Sequence, residues 1–276
     1  MSFAKLQKVK AVILDWAGTV VDHGCIGPVA VFIEVFKRQG VEVTAAQARK
    51  PMGLMKKDHV RAMTKDAGVA AAWRAVYDRE PDEHDVDAMY LLTEPLMVDC
   101  IADHADPIVG ALTAVDAFRA MGLRVGSTTG YTRPMMEIMV KEAAAKGYEP
   151  DTMVCSSDVP TGRPSPFMCY KAALALAVYP FWEMVKIGDT VADVAEGKNA
   201  GMWTIGLTLR GNEMGLTEDE LAALPEAEKA ARLTVIEARL REAGADYLAP
   251  DLAACPPILA DIEARLARGE RPGSAQ

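Results

Sequence analysis

Four short segments of this chain carry side chains that could hold and attack a phosphoryl group. Asp15 ends the run KAVILD, and Thr129 ends LRVGSTT, which Gly130 stops. Arg163 sits in the turn Thr161-Gly162-Arg163-Pro164 just before a helical pattern, and Asp189 follows Met184–Ile187 and Gly188. In an open parallel sheet, ligands bind beyond the carboxyl ends of the strands, so residues ending strands converge there. An acid, a hydroxyl and a second acid suit a hard, oxygen-coordinated cation that holds a phosphoryl group, with Arg163 as positive partner. Taken singly, each acid has a plainer reading. Asp189 could cap the helix beginning near Val191, and Asp193 could simply favour that helix's N-terminus. Their occurrence together, in one order and at strand ends, favours a site.

To converge, these segments must be strands of one sheet. Lys10–Asp15, Leu123–Thr129, Thr152–Cys155, Met184–Ile187 and Met202–Leu207 are short runs of the kind buried strands carry. Helical patterns lie between them at Pro107–Ala120, Arg133–Lys146, Pro164–Ala177 and Val191–Asn199. This alternation predicts an α/β fold, a doubly wound parallel sheet with right-handed crossovers. A helical stretch Thr217–Ala243, a short strand near Asp246–Leu248 and a helix over Asp251–Arg268 close the core, and the tail Gly269–Gln276 is expected to fray. From about Gly27 to Ala102, directly after the first strand, helical patterns run with hardly any strand signal. The expected organisation is a core of residues 1–22 and 103–276 interrupted by a helical cap domain, 23–102, near the active edge.

Half of the 276 residues are apolar and a quarter are charged, enough to bury a substantial core. A net charge of −9, a pI near 5.1 and the lack of a long basic run argue against general affinity for nucleic acid or anionic membranes. The five cysteines form no CxxC pair, Met1–Lys10 is short and charged, and no apolar run is long enough to cross a bilayer. We therefore expect reduced thiols in a cytoplasmic protein.

The ordered segments DWAGT, STTGY, GRPSP and GDTVAD resemble the motifs of the haloacid dehalogenase superfamily of phosphoryl-transfer enzymes. The resemblance implies that Asp15 attacks phosphorus and that Thr129 and Gly130 bind the transferring group. It also implies that Asp189 coordinates Mg²⁺ together with Asp15, with Asp193 supporting nearby. Lysine commonly fills the basic position of the third motif; here it is Arg163. Phosphatases and phosphomutases of the superfamily usually carry a second aspartate two residues after the nucleophile, which protonates the leaving oxygen and then activates water. This chain has Ala17 instead, whose side chain has no proton to give, although its backbone carbonyl can still bind the metal. Either the chain is an inactive scaffold, or its leaving group needs no such acid.

A carbon leaving group meets the second condition. Breaking a P–C bond expels a carbanion, which needs an electron sink. An amine that condenses with a carbonyl beside that carbon provides one, because the protonated imine accepts the electrons and becomes an enamine. The segment from Arg49 to His59, RKPMGLMKKDH, closely resembles the cap segment of the phosphonoacetaldehyde hydrolase family, the phosphonatases. DWAGTVVDHG, GSTTGYTR, GRPSPFMCYK and GDTVADVAEGKNAGMW are similar to that family too, from about Lys10 to about Gly215, and the likeness weakens beyond. Of the two adjacent lysines, Lys56 shares helical spacing with Met52, His59 and Met63, whereas Lys57 falls with Gly53, Val60 and Arg61. The stripe of Met, Lys and His makes the better pocket wall, and the resemblance also selects Lys56 for the imine. Two solvated lysines on a helix surface is the plainer reading, and it still describes Lys57. An attacking amine must be neutral, whereas free lysine titrates near about 10.4. Charge from Arg49, Lys50 and Lys57, together with the dry methionine surface, is expected to lower that value.

His59 stays open between a proton shuttle working through water, which the resemblance allows, and a packed or capping histidine. Tyr131 and Cys25 match family positions close to the substrate. The resemblance implies hydrolysis of phosphonoacetaldehyde to acetaldehyde and phosphate, with the cap closing to bring Lys56 to Asp15. It further implies homodimers paired through their cap domains. One rival is a phosphomonoesterase or phosphomutase of the same superfamily, against which Ala17 argues. The other is a non-catalytic binding protein on that scaffold, against which retention of Asp15, Asp189 and Lys56 argues.

Overall fold

The computed structural model describes residues 4–273. Its six strands are β1 (Ala11–Leu14), β2 (Arg124–Thr129), β3 (Thr152–Cys155), β4 (Met184–Gly188), β5 (Trp203–Leu207) and β6 (Tyr247–Ala249). They form one parallel sheet in the order β3-β2-β1-β4-β5-β6. The chain winds outward from β1 through β2 to β3, then returns to the far side of β1 for β4. That reversal opens a crevice at the carboxyl ends of the central strands. Leu14 lies level with Ser127 and Ile187, so Asp15, Thr129 and Asp189 emerge within a residue or two of one another along the sheet edge.

Both faces of β1 are covered, which is why it is apolar without alternation. Val12 and Leu14 face a cluster that includes α6 (Ala111–Ala120), α7 (Arg133–Ala145) and α12 (Cys255–Ala267), while Ala11 and Ile13 face α8 (Phe167–Ala175). Between β1 and α6 the chain forms five helices: α1 (Ile26–Arg38), α2 (Ala45–Arg49), α3 (Lys56–Thr64), α4 (Ala67–Tyr77) and α5 (Glu83–Cys100). Phe32 and Phe36 of α1, Val60 of α3, Trp73 of α4 and Met89 of α5 are buried in the same cluster as Val12 and Leu14. The remaining helices are α9 (Val191–Asn199), α10 (Glu218–Ala223) and α11 (Glu226–Glu242). Among the described residues no helix is long and apolar enough to cross a membrane.

Three expected elements differ in detail. The helix expected from Pro107 starts at Ala111, because Pro107 is bridged to Val21 and the Ile108 N–H donates to the Val20 carbonyl at 2.8 Å. The stretch 217–243 is two helices, since Pro225 disfavours helical backbone at the preceding residue and Leu224 is extended, with ψ 128°. Residues 269–273 dock instead of fraying: the Gly273 N–H donates to Asp246 Oδ1 at 2.9 Å, and the Arg271 guanidinium lies 4.6 Å from the Trp182 ring centroid. Residues 274–276 of the expected frayed tail lie outside the described residues.

Candidate active site

Three acids meet beyond β1 and β4. Asp15 directly follows β1, its backbone N–H still donating to the Ile187 carbonyl at 3.0 Å, and its Oδ1 accepts from Arg163 Nη2 at 2.7 Å. Asp189 is fully buried; its Oδ1 accepts from Thr19 Oγ1 at 2.8 Å and its Oδ2 from the Asn212 N–H at 2.7 Å. Asp193, in the first turn of α9, has Lys186 Nζ at 2.6 Å, Arg163 Nη1 at 3.1 Å and Thr190 Oγ1 at 2.6 Å. One oxygen from each acid lies within 4.8 Å of the others.

Packing three carboxylates in a dry site sets them against one another. Burial pushes the Asp15 carboxyl above its ordinary range despite the Arg163 charge. Burial, then the Asp15 and Asp193 charges, push Asp189 well above its own. Burial works on Asp193 too, but Arg163 and Lys186 outweigh it and hold that acid below the usual value. The acids are therefore unequal. Asp193 is saturated with cations, whereas Asp189 pairs with no Lys or Arg among the described residues, and hydrogen bonds reach only one oxygen of Asp15. Two buried carboxyls that share a single guanidinium and offer only oxygens fit a hard divalent cation between Asp15 and Asp189.

Arg163 spans the acids as a fork. Its Nε donates to Glu196 Oε2 at 2.9 Å and its Nη2 to the Thr128 carbonyl at 2.9 Å, in addition to the contacts with Asp15 and Asp193. A lysine, a point charge, could not reach three carboxylates in three directions. Sequence reasoning passed over Glu196, Lys186, Thr19, Thr128 and Asn212. Only Lys186 left a signal, a cation inside the otherwise apolar strand MVKIG that is 1% exposed in the fold.

A cavity of about 20 Å³, room for about one water, joins the acids to the helical layer. Asp15, Ala17, Thr129, Gly130 and Arg163 line it from the sheet edge, and Cys25, Met52, Gly53 and Lys56 from the helical segment, with Tyr131 beside them. The turn before α3 lands very close to the core. A Cβ on Gly130 would sit 2.5 Å from the Leu54 carbonyl oxygen, and one on Gly53, whose φ is +89°, would sit 2.6 Å from Thr190 Oγ1. Only glycines allow that approach.

Lys56 opens α3 and is 4% exposed, with Nζ 4.3 Å from the Tyr131 ring centroid and 5.6 Å from that of Phe32. Burial pulls its ammonium down to about 8, against Cys25 and Asp15 and with some help from Arg163. The charge expected from Arg49, Lys50 and Lys57 is turned elsewhere: Arg49 binds backbone carbonyls, Lys50 pairs with Asp66, and Lys57 pairs with Asp87 on the surface. Met52 lies in the turn ahead of α3, not on a helical stripe, and reaches the cavity from there. His59 is fully buried and does not line the cavity. Its Nε2 lies 2.9 Å from the Ala48 carbonyl, its ring stacks on Phe32 at 3.6 Å, and burial, then the Lys56 charge, hold it well below its usual value. This is a neutral imidazole packed behind Lys56. Burial also keeps the Cys25 thiol and the Tyr131 phenol well above their ordinary values, so both present neutral groups.

Residues 9–201 match the family model of the haloacid dehalogenase-like hydrolases. The chain belongs to that family. It is 55% identical to the phosphonoacetaldehyde hydrolase of Nitratidesulfovibrio vulgaris, over 96% of this chain and 94% of that one. It is 47% identical to the phosphonoacetaldehyde hydrolase of Bacillus cytotoxicus, over 93% and 97%. The crystal structure of a phosphonoacetaldehyde hydrolase-like protein from Oleispira antarctica superposes with a TM-score of 0.93 at 38% identity, covering 99% of each chain. In this haloacid dehalogenase-like hydrolase, Glu196 is one of the acids that hold the Arg163 fork, accepting from its Nε at 2.9 Å. Glu196→Gln is expected to lower kcat/KM by about 10–100-fold, with Glu196→Asp partly restoring it, in steady-state kinetics on variants matched for folding by circular dichroism.

Proposed function

We propose that this hydrolase cleaves the carbon–phosphorus bond of phosphonoacetaldehyde, giving acetaldehyde and phosphate. The observation that carries the reading is Lys56, buried in the same small cavity as Asp15 with its ammonium pulled down to about 8. Ala17, which lines that cavity, offers no acid to an alcohol leaving group. The names of the relatives agree with this chemistry.

In this mechanism neutral Lys56 attacks the aldehyde carbon and water departs, leaving a protonated imine. Asp15 attacks phosphorus in line; the P–C electrons form a new C=C bond as the C=N π pair moves onto nitrogen, giving an enamine on Lys56 and a phosphoryl group on Asp15. Protonation of the enamine carbon and addition of water release acetaldehyde and the free amine. A second water opens the aspartyl-phosphate. Arg163, Thr129 and the Gly130 backbone receive the phosphoryl oxygens, Met52, Tyr131 and Cys25 wall the two-carbon unit, and His59 packs behind Lys56. Mg²⁺, held by Asp15, Asp189 and the Ala17 carbonyl with Asp193 supporting, would neutralise charge on the phosphoryl group.

We further infer that residues 23–102 act as a cap on a core of 1–22 and 103–276. A cavity of about 20 Å³ admits no phosphonate, so the cap must open for substrate and product. Pairing of two copies through their caps and a cytoplasmic setting complete the proposal. Borohydride reduction in the presence of phosphonoacetaldehyde, followed by peptide mapping, tests it: a stable adduct on Lys56 is expected. No adduct anywhere, with Asp15→Ala fully active, would overturn the mechanism.

A further inference from the structure

One contact between the helical segment and the core passes directly to Asp189. Arg49, the last residue of α2, places Nη1 2.6 Å from the Gly24 carbonyl and 3.3 Å from Asn212 Oδ1, and Nη2 3.0 Å from the Gly215 carbonyl. Asn212 returns the contact, its Nδ2 donating to the Arg49 carbonyl at 3.2 Å. The backbone N–H of the same Asn212 donates to Asp189 Oδ2 at 2.7 Å. The side chain of this one residue, 2% exposed, thus engages the helical segment while its main chain holds the acid.

Arg49 meets no carboxylate at ion-pair distance among the described residues; its donors go to neutral oxygens. A guanidinium half withdrawn from water for carbonyl partners is a poor stabiliser in general, yet two of these partners, Asn212 and Gly215, belong to the core that the helical segment meets on closure. Gly24 begins the passage from β1 into the helices, and residues 212–215 belong to the loop after β5. Seven residues after Arg49, the chain delivers Lys56 to the cavity.

We propose that Arg49 and Asn212 form a closure latch, positioning residues that hold Asp189 in its cation-holding orientation only while the helical segment is shut. This rests on the reading of Asp189 as a cation ligand. Opening the latch frees the 212–215 loop and with it one hydrogen bond to Asp189, so cation binding and closure are linked, and the linkage is reciprocal.

The test is isothermal titration of Mg²⁺ into the substrate-free protein, wild type against Arg49→Ala, Arg49→Lys, Asn212→Ser and the double variant Arg49→Ala/Asn212→Ser. Hydrogen exchange over residues 45–60 and 208–216 is followed with and without Mg²⁺. Each disruptive single variant is expected to weaken Mg²⁺ binding about tenfold, the double variant no further, and Arg49→Lys less than Arg49→Ala. In the wild type alone, Mg²⁺ should slow exchange in both segments, and excess Mg²⁺ should recover kcat in the variants. Unchanged Mg²⁺ affinity in the single variants, or additive losses in the double, would overturn the latch. A wild type that binds no Mg²⁺ would overturn the cation reading, and the latch with it.

Discussion

Asp15→Asn is expected to cut turnover of phosphonoacetaldehyde by at least about 10⁴-fold while leaving the first half of the reaction intact. The asparagine carbonyl oxygen can still accept from Arg163 Nη2, so the fork keeps its seat. What disappears is the anion proposed to attack phosphorus. Imine formation on Lys56 needs no such anion and should continue. Borohydride should then trap a two-carbon adduct that still carries phosphorus, whereas the wild type should also yield an N-ethyl adduct after the bond has broken. Mass spectrometry of the Lys56 peptide separates the two. Turnover within tenfold of wild type, or an N-ethyl adduct from Asp15→Asn, would remove Asp15 from the nucleophile's role.

The sheet was legible because β1, β4 and β5 are buried and read as short, largely apolar runs, and the acids that follow β1 and β4 fit the parallel topology. The finer organisation was not, because it depends on partners distant in sequence. Glu196 lies on α9 among residues that any surface helix might carry, and nothing nearby says that it meets Arg163 from thirty-three positions earlier. Asn212 sits in a loop, and its hold on Asp189 comes from a backbone N–H, which every residue but proline possesses. Lys56 was chosen over Lys57 from helical spacing and from resemblance, and the two do part company in the fold: Lys56 is buried, whereas Lys57 is paired at the surface. The spacing argument was incomplete, since α3 starts at Lys56 and Met52 lies outside it. The source of the lysine's shift was also misplaced. Charge close in sequence is turned elsewhere, and burial, which side chains distant in sequence create, is the largest cause.

Lys56→Arg and Lys56→Met are both expected to lower carbon–phosphorus cleavage by at least about 10³-fold. Arginine keeps the charge but cannot supply a neutral amine, so its failure would separate imine chemistry from simple anion binding. In the wild type, the free amine with its value near 8 makes the neutral form scarce below that pH. The limb of kcat/KM controlled by Lys56 should therefore fall about tenfold for each pH unit below about 8 and level off above it. Stability should follow the same group with a definite sign. Its folded value near 8 lies below the ordinary lysine value of 10.5, so between them the unfolded chain binds more protons, and stability rises with pH. The destabilisation is complete below about 8 and gone above about 10.5. Lys56→Met keeps an unbranched side chain and removes the buried charge, so at neutral pH it should be more stable than the wild type by up to about 3 kcal/mol. Denaturant titrations at several pH values check this, and the advantage should shrink as pH rises toward 10.5. A Lys56→Met protein less stable than wild type at neutral pH would mean that the ammonium is well solvated, and the dry cavity on which the imine depends would be lost as an explanation.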